Sequence, residues 1–167
     1  MPESVQTSRL QEAIDTVESL SFEEQNLVVE ILLKRLQRKR RKQLIQEIEE
    51  VRQEASLGQI QFGSVEDFLK ELDAWDFLAW TPKSLRAYKR LIRQNPQLKP
   101  ALEETLTQLA TAPFHPTLKT HKLSGEFDGI WSASIDYSYR ILFEFTKTKD
   151  SEDAILLLNL GNHDDVY

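Results

Sequence analysis

The sequence predicts an α+β protein: an extended, all-helical N-terminal part followed by a small β-α-α-β-β-β domain with a mostly antiparallel sheet. Three observations point there. Between Pro2 and Gly58 no proline or glycine occurs, and apolar residues recur every three or four positions. From Trp75 the pattern changes to an apolar strand and two amphipathic helices bounded by Thr81-Pro82, Asn95-Pro96 and Pro113. After Gly129 come three runs rich in β-branched and aromatic residues. The change of pattern at Asp73-Ala74 divides the chain into residues 1–73 and 74–167.

In the first part, Leu10, Ile14, Val17 and Leu20 make the apolar face of a short helix. Ser21-Phe22-Glu23-Glu24 then reads as a capping box, in which the serine caps an amide and Glu24 reaches back to the Ser21 amide. A helix starting there and running to Gly58 spans roughly 35 residues, or ~50 Å, which suits an extended or oligomeric element. Leu27, Val28, Ile31, Leu32 and Leu36 form one broad stripe, and Leu44, Ile48, Val51 and Ala55 a second, narrower one. Between them Arg38, Lys39, Arg40, Arg41 and Lys42 lie in a run that is polar on every face. It is either a solvated crossing between two packing sites or a phosphate-contacting patch, for DNA or another anion. Gln59–Phe62 alternates like a short strand. Ser64 caps a small amphipathic helix whose apolar residues are Val65, Phe68, Leu69 and Leu72. Such a segment suits partner binding, or docking on its own domain.

In the second part, Trp75–Trp80 is apolar enough for the inside of a sheet. Proline at the first helical position opens the next helix, which turns Leu85, Tyr88, Leu91 and Ile92 inward. A second helix repeats Leu98, Leu102, Leu106 and Leu109. Strands are predicted at Gly129–Ile135, Tyr139–Thr146 and Ala154–Leu160, the last two joined by a turn at Asp150–Asp153. A helical pair on one sheet face is the expected packing.

The net charge of −6 argues against a general polyanion binder. Residues 74–167 are close to neutral, so contact with nucleic acid has to come from local patches. No apolar run approaches the ~20 residues that span a bilayer. The absence of cysteine excludes disulfides and thiolate metal sites, consistent with the cytoplasm.

Of three histidines, two lie between Leu118 and Tyr167, His121 and His163, with Arg140 between them. RNA is cut without a metal when a base takes the 2′-hydroxyl proton, an acid protonates the leaving oxygen and a cation steadies the phosphorane. His121 and His163 are the candidate acid and base. Arg140, on the strand face of Leu142 and Glu144, is the candidate phosphate ligand, unless it pairs with Glu144 or Asp136. Tyr139 and Tyr167 are candidates for base stacking, Lys119 and Lys122 for further phosphate contacts. Each has an ordinary alternative in packing or solvation. His115, between Phe114 and Pro116, reads as a loop residue without a role.

Over about Trp75 to Tyr167, these features resemble the RelE/ParE superfamily of bacterial toxins, most closely the YafQ-like ribosome-dependent messenger-RNA interferases. The resemblance rests on the β-α-α-β-β-β order, Lys119-Thr120-His121-Lys122-Leu123-Ser124-Gly125, Tyr139-Arg140-Ile141-Leu142-Phe143 and Gly161-Asn162-His163. It implies that His121 and His163 are catalytic, that Arg140 contacts the scissile phosphate, and that Tyr167 helps to position RNA, with no cofactor or metal. The sequence departs from that pattern at Ser134, where a histidine is expected, at Ser138, where an aspartate is expected, and at Tyr139, where the pattern has tryptophan.

Residues 1–73 resemble the antitoxins that accompany such toxins, particularly small cyanobacterial ones with a long charged helix. By that resemblance residues 64–72 are a neutralising tail, and the helical part dimerises and contacts operator DNA. Met1 is the only methionine and no Gly/Ser linker intervenes, so the chain reads as antitoxin and toxin in one polypeptide, neutralised in cis or in a swapped homodimer. Ribosome-bound mRNA is then the target of the free toxin. Two other readings are a ParE-like toxin that inhibits gyrase without nuclease chemistry, and an inactive module that binds operator DNA.

Overall fold

The computed structural model describes residues 3–62, 78–148 and 152–166. The chain forms two compact units, Met1–Arg40 and Arg41–Tyr167. Their boundary falls inside a helix, within the polar run around Arg38–Lys42, where there is no apolar side chain to pack.

The first unit contains α1 (Glu3–Glu18) and the beginning of α2 (Phe22–Ser56). The expected capping box forms: the Ser21 amide donates to Glu24 Oε2 at 2.9 Å, and the Glu24 amide donates to Ser21 Oγ at 3.4 Å. No residue whose exposure is described in this unit is buried.

The second unit is built on a six-stranded sheet: β1 (Gln61–Phe62), β2 (Leu78–Trp80), β3 (His121–Lys122), β4 (Trp131–Ser134), β5 (Tyr139–Lys147) and β6 (Asp153–Asn162). The spatial order is β1-β2-β6-β5-β4-β3. Among the described strands only β2 and β6 run parallel; the other pairings are antiparallel. The predicted β-α-α-β-β-β order holds, with α3 (Pro82–Gln94) and α4 (Lys99–Thr111) following β2. Two short edge strands add to it: the Gln59–Phe62 run supplies β1, and the unpredicted β3 carries His121.

Sequence decides where the helices begin and end. Thr81 and Ser84 form a reciprocal capping box, proline occupies the first turn of α3, and Asn95 caps its end. On the sheet face below, Tyr88 and Leu91 of α3 and Leu102, Leu106 and Leu109 of α4 pack over Ile141, Phe143, Ile155 and Leu157. That is the helical pair expected from the sequence.

The opposite face is covered too. Leu44, Ile48 and Val51 of α2 pack on Ala79, Leu142, Leu156 and Leu158, beside Phe127 and Ile130. The narrow second stripe of the long helix is therefore core, each side chain contributing ~1.5–3 kcal/mol by burial. Polar contacts fix its register. Glu47 accepts from Arg90 at 3.1 Å and from the Asn159 amide at 2.8 Å, and Glu54 caps α3 by accepting the Lys83 backbone N–H at 2.7 Å. Arg52 pairs with Glu144 at 3.1 Å. The sheet-bearing unit thus takes in residues 41–62, N-terminal to the change of pattern at Asp73-Ala74. The apolar run Leu44–Ala55 is complementary to a sheet face that would otherwise be wet.

One irregularity sets the phase of β6. The register passes from Leu142↔Asn159 to Phe143↔Leu157, so Leu158 is an extra residue in β6. Leu158 and Asn159 both serve the α2 side, while Leu157 and Leu160 serve the α3/α4 side.

Tyr88 carries a measurable signature. Burial, with a smaller contribution from the Glu103 carboxylate, raises its phenol pKa from 10.0 to about 12. A raised folded-state pKa means that the stabilisation is complete below pH ~10 and is lost as pH rises through about 12. A difference titration at 295 nm, wild type minus Tyr88→Phe, is expected to show a tyrosine ionising near 12; a midpoint near 10 would contradict the burial.

Candidate active site

Strand register places the candidate residues on two adjoining rows of the sheet. One row is His121–Ser132–Leu142–Asn159; the next is Ser134–Arg140–Gly161. Paired residues point to the same side, and Leu142 and Asn159 meet α2, so both rows belong to the α2 face. His163 opens α5 (His163–Val166) directly beyond β6, and its backbone N–H donates to the Ser138 carbonyl at 2.7 Å.

Arg140 is the centre of this arrangement. Its Nη1 donates to the carbonyls of Asp136 at 2.7 Å, Tyr139 at 2.9 Å and, more weakly, Tyr137 at 3.4 Å. The ion pairs considered from sequence do not form. Glu144 is taken by Arg52, and the Asp136 carboxylate accepts the Ser138 and Tyr139 amides at 2.8 Å each, tightening the β4–β5 turn. The guanidinium is therefore aimed by backbone carbonyls, without a carboxylate partner among the described residues. A half-exposed cation held in this way suits a bidentate anion such as phosphate.

The register sets Arg140 opposite Gly161, two residues before His163, and leaves His121 and His163 far apart. The two histidines are three strands apart and on opposite sides of the Arg140 row, about 18 Å between Cα atoms in a sheet of ordinary spacing and twist. Only by leaning inward over Arg140 would both rings reach one phosphate. His121 is exposed on the edge strand, with Nδ1 2.8 Å from the Lys119 carbonyl. In the neutral ring that contact puts the proton on Nδ1 and makes Nε2 the basic nitrogen. Lys119 itself is left-handed, φ 48°, a conformation costing a non-glycine residue ~1 kcal/mol. The His163 side chain is 43% exposed, with Nδ1 3.4 Å from Asp164.

Other candidates are placed less favourably. Tyr139 packs against the α3/α4 core, on the face opposite Arg140, so its ring is a packing residue. Lys122 pairs with Asp128 at 3.7 Å, while Lys119 is exposed. Arg41 leaves the basic run: it lies over the Phe127 ring at 5.0 Å and pairs with Glu126 at 3.0 Å, a docking role on the sheet-bearing unit. Arg38, Lys39, Arg40 and Lys42 are exposed. Tyr167 and the tail residues Val65, Phe68, Leu69 and Leu72 lie outside the described residues. His115 caps the turn before Leu118, its Nδ1 2.9 Å from Thr117 Oγ1, as its loop position suggested.

One residue was missed. Tyr137, 95% exposed, stands at the tip of the turn whose carbonyls hold Arg140. The signal was its position, an aromatic between Asp136 and Ser138 in a hairpin turn, where no core is available to it. No group of three or more histidine, aspartate and glutamate side chains among the described residues is arranged to hold a metal ion, and no described helix is long and apolar enough to cross a membrane.

The mostly antiparallel sheet, the helical pair on one face and an arginine-centred row on the other define a RelE/ParE-like domain. The chain belongs to the ParE toxin family of type II toxin–antitoxin systems, parDE, which its residues 78–167 match. Among solved structures, a YoeB/ParE toxin from Agrobacterium tumefaciens is 22% identical, with a TM-score of 0.44, over 52% of this chain and 97% of its own. YafQ from E. coli strain BL21(DE3) is 15% identical, with a TM-score of 0.43, over 52% of this chain and 91% of its own. The YoeB–YefM complex from Staphylococcus aureus is 17% identical, with a TM-score of 0.41, over 52% and 94%. No curated protein sequence matches.

Proposed function

We propose that the toxin domain is a metal-independent, ribosome-dependent mRNA endoribonuclease, restrained in this chain by its own N-terminal part. The observation that carries the reading is Arg140, a guanidinium positioned by three backbone carbonyls, unpaired with any described carboxylate and paired across the sheet with Gly161, two residues before His163. In this scheme Arg140 binds the scissile phosphate and His163 exchanges a proton with the reacting oxygens. His121 and Lys119, farther along the face, meet the flanking strand. Residues 41–56, packed on the same face, and the tail of residues 64–72 limit access.

Tyr137 then offers its ring to a base next to the scissile phosphate. Tyr137→Ala is expected to weaken binding of single-stranded RNA about tenfold, within the ~1–3 kcal/mol of one base stack, and Tyr137→Trp to retain it. Equal affinities in a fluorescence-anisotropy titration would remove Tyr137 from the site.

The experiment for the reading as a whole is transcript cleavage in a translation extract, comparing the full chain with Arg140→Ala, both as they stand and with α2 loosened by Ile48→Ala. Cleavage that requires Arg140 supports the nuclease. Growth arrest with intact transcripts and failed DNA supercoiling would transfer the chain to the gyrase-inhibiting reading, which the missing acid/base groups at Ser134 and Ser138 keep open.

A further inference from the structure

In a chain of net charge −6, helix α3 carries Lys83, Arg86, Lys89, Arg90 and Arg93 and no acidic residue. At 100° per residue all five cations fall within an arc of ~120°. From Lys83 to Arg93 no apolar side chain shares that arc, because Leu85, Tyr88 and Leu91 lie outside it, turned to the core. Like charges three and four positions apart repel and weaken a helix, and α3 has no acid of its own to offset them.

Helix α2 neutralises one flank of the arc. Glu50 pairs with Lys83, Glu54 with Arg86 at 3.3 Å and Glu47 with Arg90 at 3.1 Å. Even so, Arg86 and Arg90 keep 65 and 46% of their side-chain surface exposed. On the other flank Lys89 and Arg93 are exposed and make no ion pair with any described residue. A protein partner anchors on apolar side chains at the centre of its contact, and this face offers none. Cations stepping ~5–6 Å along a rigid helix suit the regular charges of a phosphate backbone.

We propose that the exposed face of α3 is a docking surface for the phosphate backbone of RNA, open while α2 stays packed on the sheet. The restrained chain then holds RNA before it can cut it. Phosphate contacts carry no sequence information, so this binding is indifferent to sequence. The choice of RNA over DNA rests on the nuclease reading above.

Anisotropy titrations of the full chain with a labelled RNA hairpin, from low to physiological salt and without ribosomes, test this. The logarithm of affinity is expected to fall with the logarithm of salt at a slope of about −3. Lys89→Gln with Arg93→Gln is expected to remove about 2 from that slope and to weaken binding at least ~10-fold at low salt, with unchanged thermal melting. Lys89→Arg with Arg93→Lys, which keeps both charges, should retain binding. Affinity indifferent to Lys89 and Arg93, affinity lost only on Arg140→Ala or only on neutralising Arg38 and Lys39, or tighter binding of the DNA hairpin of the same sequence would each overturn the proposal. RNA held through Lys89 and Arg93 by a chain that never cleaves transcripts would leave the docking surface standing and remove the nuclease.

Discussion

Arg140→Ala is expected to lower transcript cleavage by about 10²–10³-fold, the usual loss when a positioned charge stabiliser of the transition state is removed. Folding stability should change by less than ~1 kcal/mol. The carbonyls of Asp136 and Tyr137 that Arg140 now occupies belong to an exposed turn, where water replaces the guanidinium. Arg140→Lys should recover little. A lysine supplies a point charge without the fork that spans two phosphate oxygens, and its shorter donor geometry does not reproduce the three-carbonyl anchor. The paired measurements are cleavage rate and thermal melting of the same preparations. Unchanged cleavage would end the nuclease assignment; a large fall in melting temperature would mean that the arginine is a structural clamp.

The second large effect is expected at Ile48, which is 1% exposed where α2 meets the sheet. Ile48→Ala should cost ~2–5 kcal/mol through the cavity it leaves between Val51, Leu142 and their neighbours. Ile48→Asp should cost more, since a carboxylate there has no built partner. The loss should be local. Hydrogen exchange is expected to reveal residues 41–56 opening while β5, β6 and the α3/α4 face stay protected, because those strands have a second core of their own. If the docked helix restrains the toxin, the loosened chain should also arrest growth in a manner that Arg140→Ala cancels. Uniform loss of protection would show that α2 is inseparable from the toxin fold.

Much of this architecture was legible because periodicity reports burial. The inward residues of α3 and α4, the alternation of Tyr139, Ile141 and Phe143 against Arg140, Leu142 and Glu144, and the narrow stripe Leu44–Val51 all emerge as core or contact positions. What the narrow stripe covers was not legible, since a helix face states that it is buried but not against what. The two-residue strands at Gln61 and His121 were marginal for the same reason: they carry too few residues for a period to show. Within the candidate site, residue types were readable and distances were not. Spacing along the chain gives no hint that His121 and His163 are three strands apart. Alternation already set Tyr139 on the face opposite Arg140, and of its two readings, stacking or packing, the contact with the α3/α4 core favours packing. Tyr137, two positions earlier, escaped notice because a turn has no periodicity to violate.

The extra residue at Leu158 carries a consequence for how the Arg140 row is encoded. Downstream of it, each β6 side chain lies on the face opposite to the one that uninterrupted alternation from Leu157 would assign. Gly161 is thereby opposite Arg140, and the chain turns into His163 from that row. Deleting a single residue there would leave composition, hydrophobicity and strand length almost untouched, yet it would turn the Arg140 row's partner, Gly161, to the α3/α4 side of the sheet. The arrangement depends on parity: whether the count from Leu157 to Gly161 is odd or even decides which side of the sheet Gly161 faces.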